Sequence, residues 1–426
     1  MKDNLLAWKK LGMDIDLHNM VLEFVGGVYG GIYMSQKNRP ERMDYFDLFM
    51  SDLHGKRTHE LMEAQQEGRK VVGTFCVFVP EELVIAANAI QVGLCAGAEM
   101  GFDKAEHYVP RNTCALIKSA FGFNLSKVCP FIEVSDMIVG ENTCDGKKKS
   151  FEQYATLVKN EMYVLDLPQV KTKEGKALLA GEYNRFKEKL EQLTGNTITA
   201  EKLKAAIEII NKRRTALLRL ADLRKADPCP ISGLDVLLIN QIAFLDDPTR
   251  FTTAVNTLCD ELEQRVADQV GVAPKGTPRI VISGCPMAVP NWKVPSIIET
   301  SSIVIVGEET CTGERGTRNL VEYNAESLEA MLEGIVDRYF KVDCAIFSPN
   351  QERFDHITEM VEKYNADGVI QYTLQCCQPY GHESMSIERE LEARGVAALS
   401  IETDYSQEDM GQLKTRVEAF GERITK

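Results

Sequence analysis

Short apolar runs, rich in β-branched residues and separated by helical stretches, recur in two parts of the chain. The runs of the first part are 71–75, 90–94, 136–140 and 162–167, and those of the second are 279–283, 302–307, 344–348, 368–374 and 396–401. Such runs predict buried strands of parallel sheets whose two faces are covered by helices. The pattern predicts an α/β fold of two doubly wound, flavodoxin- or Rossmann-like parallel-sheet domains with an added helical region.

The added region is expected between the two series of runs. Thr199 is the predicted N-cap of a long helix, and Leu203, Ile207, Ile210, Leu217 and Leu220 share one face of it. A second predicted helix, 329–340, lies within the later series. On this pattern the chain divides into an N-terminal helical segment (1–68), a first α/β domain (69–172), a helical region packed on that domain (173–270) and a second α/β domain (271–426).

Composition and charge exclude some functions and locations for this protein. Of the 426 residues, 49 are Lys or Arg and 63 are Asp or Glu, so the net charge is −14. A general nucleic-acid binder needs a basic face, so the sequence predicts no nucleic-acid partner. No apolar stretch is long enough for a membrane span or a signal-peptide core. We therefore expect a cytoplasmic protein whose 12 cysteines are reduced thiols, metal ligands or nucleophiles rather than disulfides.

Five cysteines come directly after predicted strands. They are Cys76, Cys144, Cys285, Cys311 and Cys377. Ligands of doubly wound proteins bind beyond the carboxyl ends of the strands, so both domains are expected to contribute thiols to one site. Cys114 could join them, whereas Cys344 opens an apolar run. The alternative is that these residues only pack as small apolar side chains, because the sequence has no CxxC pair.

A nucleotide loop is not expected. The segment 140–149 resembles a phosphate loop, but five residues separate Gly140 from Gly146, and Lys148 stands where Ser or Thr would bind magnesium.

Around the cysteines the chain resembles a known superfamily, that of the cluster-bearing subunits of 2-hydroxyacyl-CoA dehydratases and benzoyl-CoA reductases. The segments that carry the resemblance are 73–90, 109–123, 135–149 and 367–384. Two further segments, 283–316 and 344–353, resemble the double-cubane-cluster branch of that superfamily.

The resemblance implies an iron–sulfur cofactor. In the superfamily, positions equivalent to Cys114, Cys144 and Cys377 hold one [4Fe–4S] cluster. The double-cubane branch holds an [8Fe–9S] cluster with three more cysteines, for which Cys285, Cys311 and Cys344 are the candidates here. Cys377 is preferred over Cys376 because a polar residue and a proline follow it, and Cys76 and Cys129 are taken as neighbours of the cluster. The remaining cysteines, Cys95, Cys229 and Cys259, are assigned to packing.

The resemblance also implies a function. The chain would be an iron–sulfur reductase component that forms a homodimer and receives low-potential electrons from an ATP-hydrolysing activator with its own [4Fe–4S] cluster. It would reduce a small molecule, with Glu383, His382 and Glu309 as candidate catalytic proton donors. Three alternatives remain at this point. They are a single-[4Fe–4S] subunit of a 2-hydroxyacyl-CoA dehydratase, a non-catalytic cluster-bearing electron carrier, and a metal-free α/β binding protein.

Overall fold

The computed structural model describes residues 2–425; positions 1 and 426, the outer ends of the predicted first and last regions, lie outside the described residues. The strands are β1 (Lys70–Thr74), β2 (Ala89–Gly93), β3 (Met137–Glu141), β4 (Glu161–Leu165), β5 (Arg279–Gly284), β6 (Val304–Glu309), β7 (Gly368–Leu374) and β8 (Ala397–Thr403). The helices of the first part are α1 (Lys2–Lys10), α2 (Ile15–Ile32), α3 (Asp44–Ser51), α4 (Lys56–Gln66), α5 (Glu81–Ala86), α6 (Phe102–Ala105), α7 (Ala115–Leu125), α8 (Pro130–Val134) and α9 (Asp145–Tyr154). Those that follow are α10 (Lys173–Thr194), α11 (Ala200–Leu223), α12 (Gly233–Ile242), α13 (Pro248–Ala267), α14 (Lys293–Thr300), α15 (Leu328–Phe340), α16 (Gln351–Lys363), α17 (Gln378–Ala393) and α18 (Met410–Ile424).

The strands form two parallel sheets with the same order of strands. The first sheet runs β2-β1-β3-β4 and the second runs β6-β5-β7-β8. In each sheet the chain places its second strand on one side of the first and then crosses to the other side. This reversal makes a switch point between β1 and β3 and another between β5 and β7. The predicted α/β class with two doubly wound sheets is confirmed.

One predicted strand is wrong. Residues 344–348 form a turn, in which the Phe347 amide donates to the Cys344 carbonyl oxygen at 3.1 Å. The run is apolar because Cys344 and Phe347 are buried against the helices around the first sheet. The amide of Ser348 donates to the carbonyl oxygen of Gln169 at 3.0 Å, so this turn is anchored to the loop after β4 and pairs with no strand.

The predicted long helix is present as α11. The Thr199 side chain caps it by accepting from the Lys202 amide, and the five predicted apolar positions are buried. The helical region packs against both α/β parts of the chain. Within that region α11 packs on α13, and it also packs on α5 of the first part. Towards the second part, α10 packs on α15, and α12 packs on α14 and β6. Among residues 2–425, no helix combines the length and apolar character that a membrane crossing requires.

The two sheets approach each other at the loops that follow β2 and β5. The Gly97 amide donates to the Val289 carbonyl oxygen at 2.9 Å. A Cβ at Gly97 would lie 2.3 Å from the Ala288 carbonyl oxygen, so only glycine permits this contact. The carboxyl ends of strands from both sheets therefore border one cleft.

Candidate metal centre

The switch-point strands and their neighbours carry the predicted cysteines at their carboxyl ends. Cys76 and Cys144 follow β1 and β3, and Cys285, Cys311 and Cys377 follow β5, β6 and β7. At β5 the turn depends on Gly284, which has a φ of +137°. A Cβ there would lie 1.9 Å from the Tyr372 carbonyl oxygen, to which the Cys285 amide donates at 2.9 Å.

One set of thiols, which we call the first thiol group, consists of Cys114, Cys144, Cys285 and Cys377. The Cys377 thiol interacts with those of Cys114 and Cys285. It raises the pKa of Cys114 well above the usual range, an effect that burial reinforces. Burial is also the main cause of the raised pKa of Cys144, to which the Cys114 thiol contributes. The first thiol group thus joins residues that follow strands of both sheets.

Three members of the first thiol group begin helices. Cys114, Cys144 and Cys377 are the N-cap residues of α7, α9 and α17. The Cys144 sulfur accepts from the Lys147 amide at 3.4 Å, and amides of the first turn likewise reach the sulfurs of Cys114 and Cys377. Unpaired N–H groups and the helix dipole stabilise negative charge at this position. At these three sulfurs the helix N-termini therefore favour the thiolate and oppose the burial that raises their pKa values.

A second thiol group consists of Cys76, Cys311 and Cys344. The Cys76 thiol and, more weakly, Arg315 and Lys147 outweigh burial and lower the pKa of Cys311 to about 6. The Arg315 guanidinium donates to the Cys311 sulfur at 3.5 Å. Burial and the neighbouring Cys311 thiol raise the pKa of Cys344. This group also joins both sheets, because Cys76 follows β1 and Cys311 follows β6.

Two buried arginines share the Glu309 carboxylate, and one of them contacts the second thiol group. Arg315 donates to the Glu309 carboxylate at 2.7 and 2.8 Å, and Arg353 donates to it at 3.1 Å. Burial would disfavour ionisation, but the two guanidinium groups outweigh it and lower the pKa of Glu309 to about 2. The carboxylate therefore orients two cations, one of which contacts a thiol. Fixed positive charge of this kind favours an anionic ligand set.

Tyr380 and Lys147 connect the two thiol groups. Tyr380 lies one turn after Cys377, accepts from Arg315 and places its hydroxyl 3.8 Å from the Cys344 sulfur. The Lys147 amide bonds to Cys144, whereas its ammonium pairs with Glu141. Burial opposes the charge of Lys147, but Glu141 and the thiols of Cys76 and Cys95 raise its pKa well above the usual range. The two groups consequently belong to one buried region.

The candidate proton donors occupy different surroundings. Glu309 is enclosed in the arginine pairs described above. Glu383 accepts from Asn350 at 2.6 Å and also pairs with Arg353. His382 is exposed on α17. Their catalytic role stays a prediction.

The cysteines left open by the sequence also have distinct surroundings. Cys76 interacts with Cys311 and so belongs to the second thiol group. Cys129 is buried and precedes α8, and Cys95 donates to the Phe75 carbonyl oxygen at 2.9 Å. Cys376 has a φ of +64°. Among the described residues, no three His, Cys, Asp or Glu side chains are arranged to hold a single metal ion.

Sequence reasoning missed Arg315 and Tyr380. Both stand close to cysteines along the chain, four residues after Cys311 and three residues after Cys377. A separation of three or four residues is about one helical turn, so Arg315 lies near Cys311 and Tyr380 lies near Cys377. A charged or phenolic residue one turn after a strand-end cysteine is the signal that could have found them.

The fold and the site define a class: two-sheet α/β proteins with a thiol-lined cleft between the carboxyl ends of their strands. Residues 76–424 match the model of the 2-hydroxyglutaryl-CoA dehydratase D-component family, and the chain belongs to this family.

Individual relatives match most of the chain. YjiM, a candidate dehydratase subunit of Escherichia coli (strain K12), is 35% identical over 85% of this chain and 94% of its own length. The (R)-phenyllactyl-CoA dehydratase beta subunit of Clostridium sporogenes is 26% identical over 89% of this chain and 98% of its own. A subunit of benzoyl-CoA reductase from Thauera aromatica is 21% identical over 84% of this chain and 91% of its own. The relatives therefore include subunits of both dehydratases and reductases.

Proposed function

We propose that the chain is an iron–sulfur reductase component of the double-cubane type, which reduces a small molecule with electrons from an ATP-hydrolysing activator. The activator would carry its own [4Fe–4S] cluster, and the chain would act as a homodimer. The observation that carries the proposal is the convergence of two thiol groups, each drawn from both sheets, in one buried region.

The donor set suits an iron–sulfur cluster. Thiolates are the usual protein ligands of such clusters, and the proposed ligands are Cys114, Cys144, Cys285, Cys311, Cys344 and Cys377. Three of the six sulfurs receive helix N-terminal amides and a fourth receives a guanidinium N–H. Hydrogen bonds to sulfur and burial are the main protein influences on a cluster's reduction potential. When bound, the cluster would supply one-electron transfer at low potential.

Residues around the thiols would balance the charge of the site, hold its ligands in place and supply protons. Arg315 and Lys147 supply buried positive charge beside the thiolates, and Glu309 and Glu141 fix those two cations in place. Tyr380 keeps α17, and with it Cys377, against the second thiol group. Glu383 and His382 remain the proposed proton donors, because α17 carries both of them a few residues after Cys377.

A second candidate function is a single-[4Fe–4S] subunit of a 2-hydroxyacyl-CoA dehydratase. The family match and the phenyllactyl-CoA dehydratase relative favour it. It requires only Cys114, Cys144 and Cys377, which interact directly in the first thiol group. It leaves the second thiol group, with its paired Cys76 and Cys311 and its buried arginines, without a role.

Anaerobic iron and sulfide analysis with low-temperature electron paramagnetic resonance separates these functions. The proposal predicts about eight irons per chain, and the single-cluster alternative about four. Reduced protein mixed with activator and ATP should then turn over a reducible small molecule, whereas an electron carrier would not. A colourless, iron-free anaerobic preparation would exclude both functions.

A matched pair of variants assigns the second thiol group. Cys311→Ala should lose or convert the cluster and lower the iron content to about half while the fold survives. Cys259→Ala is the control, because Cys259 is a buried cysteine of α13 that belongs to neither thiol group. An unchanged iron content in the first variant would remove Cys311 from the ligand set.

A further inference from the structure

Helix α2 presents an apolar face that no other part of the described chain covers. Met20 and Phe24 of this helix, and Met34 shortly after it, are each more than half exposed. Between residues 17 and 36 the only Asp, Glu, Lys or Arg is Glu23, so the face lacks the charges that usually cover the solvent side of a helix. Contiguous exposed apolar side chains of this kind are typical of an interface.

The exposed side of α2 also carries glycines that the chain itself does not require. Gly26, Gly27, Gly30 and Gly31 are exposed, and a Cβ added at any of them would meet nothing within 4 Å. Glycine destabilises the interior of a helix relative to alanine, so packing within the chain does not explain four of them. They do leave shallow positions at which a bulky side chain from outside can approach the helix backbone.

The bulky residues and the glycines of this face are complementary to each other. Met20, Phe24, Gly27 and Gly31 follow one another at spacings of four, three and four residues, so they form one stripe along α2. When a second α2 packs antiparallel on the first, with the two-fold axis halfway along this stripe, Phe24 faces Gly27 of the other copy and Met20 faces Gly31. Each large side chain then meets a glycine, as a self-complementary two-fold contact requires.

The charges at the two ends of α2 fit the same antiparallel arrangement. Asp14 and Asp16 lie at its amino end and Lys37 follows its carboxyl end, and all three are exposed. An antiparallel pair brings the acidic end of each copy beside the basic end of the other, whereas a parallel pair brings like charges together. Glu23 precedes Phe24 by one residue and so points about 100° away from it, at the edge of the stripe.

We propose that α2 packs antiparallel on α2 of a second copy of this chain, with Phe24 against Gly27 and Met20 against Gly31. The inference rests on the proposed function only for the existence of a homodimer. It adds the surface that forms the dimer and the relative direction of the two chains.

Two substitutions on the stripe test the contact in the anaerobically purified full chain. Phe24→Asp places a charge against the other copy, and Gly27→Leu fills the position that receives Phe24. Sedimentation velocity over a range of concentrations should show a wild-type dimer, and each variant should raise its dissociation constant about a hundredfold. Gly27→Leu keeps the fold, because the added side chain points into open space and leucine favours a helix more than glycine does.

A neighbouring glycine supplies the matched control. Gly26→Leu makes the same change at an exposed position that points about 100° away from Gly27, and should leave the dimer intact. A dimer that survives both Phe24→Asp and Gly27→Leu would overturn the proposal. A monomeric wild type that floats with phosphatidylcholine vesicles would also overturn it, and would assign the face to a lipid surface.

Charge reversal tests the direction of the two helices. Lys37→Glu should raise the dissociation constant about five-fold, because the two-fold axis removes two attractive pairs at once. Adding Asp16→Lys to Lys37→Glu should restore the affinity of the wild type, since the exchanged charges again face each other. A double variant that dimerises no better than Lys37→Glu alone would overturn the antiparallel direction.

Iron analysis of the same preparations separates this inference from the function. An iron-free protein whose dimer depends on Phe24 and Gly27 would support the interface while the reductase proposal fails. Full iron content together with a dimer that is insensitive to both residues would overturn the interface and leave the proposed function standing.

Discussion

The two like sheets carry cysteines at matching strand ends, but the protein surrounds the two thiol groups differently. Cys144 and Cys377 follow the third strand of each sheet, and Cys76 and Cys285 follow the first. The first group receives backbone N–H groups from three helix termini, whereas the second lies beside the Arg315 guanidinium. Strand order thus determines where the sulfurs converge. Local hydrogen bonds and charges determine how strongly each group stabilises negatively charged sulfur.

The largest expected effect contrasts adjacent cysteines. Cys377→Ala should abolish most iron binding, because the Cys377 thiol interacts with those of both Cys114 and Cys285. Cys376→Ala should retain the iron of the wild type. Iron content of the two anaerobic preparations measures the difference. Loss of iron in Cys376→Ala alone would mean that Cys376, not Cys377, is the ligand. The ligand after β7 would then no longer correspond in position to Cys144 after β3.

Removing the buried cation tests the dependence of the second group on charge. Arg315→Met leaves Glu309 in a buried site with one guanidinium fewer, and should lower the free energy of unfolding by about 3–5 kcal/mol. Arg219→Met removes a partly exposed arginine from Asp260 and Glu263 and should cost less than about 1 kcal/mol. Urea unfolding of both variants measures this. Equal losses of unfolding free energy in the two variants would show that burial does not increase the contribution of the Arg315–Glu309 pair.

A buried pair of histidines should instead make the stability of the fold sensitive to acid. His18 and His54 are hydrogen-bonded at 2.9 Å, and burial lowers their pKa values to about 4 and about 3. The unfolded chain binds protons near pH 6.5 but the folded chain does not. Their stabilisation is therefore complete above pH 6.5 and lost as the pH falls, by roughly 3 kcal/mol at pH 4 for His54 alone.

Chemical unfolding between pH 7 and pH 4 measures this loss. The double variant His18→Leu/His54→Phe should flatten the dependence, whereas replacing the exposed His107 with Gln should not. A wild-type stability that stays constant down to pH 4 would contradict the assignment.

The smallest effect separates capping from ligation at Cys144. Its sulfur caps α9 through the Lys147 amide. Cys144→Ser keeps a capping oxygen, whereas Cys144→Ala loses it and should be less stable by about 1 kcal/mol. Both variants lack the thiol and should lose iron alike. Thermal unfolding of the iron-free proteins measures the first difference, and equal stability would mean that the cap contributes nothing.

Much of the fold could be predicted from the chain because buried parallel strands are continuous apolar runs. Eight of the nine predicted strands are present, at most two residues from the predicted bounds. The strand predicted at 344–348 was wrong, because an apolar turn packed under helices has the same composition as a short buried strand.

The candidate site was predictable only in part. Strand ends located five cysteines, since topology alone brings such positions together. Their division into two groups, the pairing of Cys76 with Cys311 and the placement of Arg315 and Tyr380 depend on side-chain contacts between distant segments.

The split origin of each thiol group has a consequence for biosynthesis. A ribosome emits Cys76, Cys114 and Cys144 first, and Cys377 follows Cys144 by 233 residues. Neither thiol group can close before the second sheet has formed, since each needs a residue that follows one of its strands. A cofactor that uses all the thiols of either group can therefore be bound only after segments of both α/β domains have been made and folded.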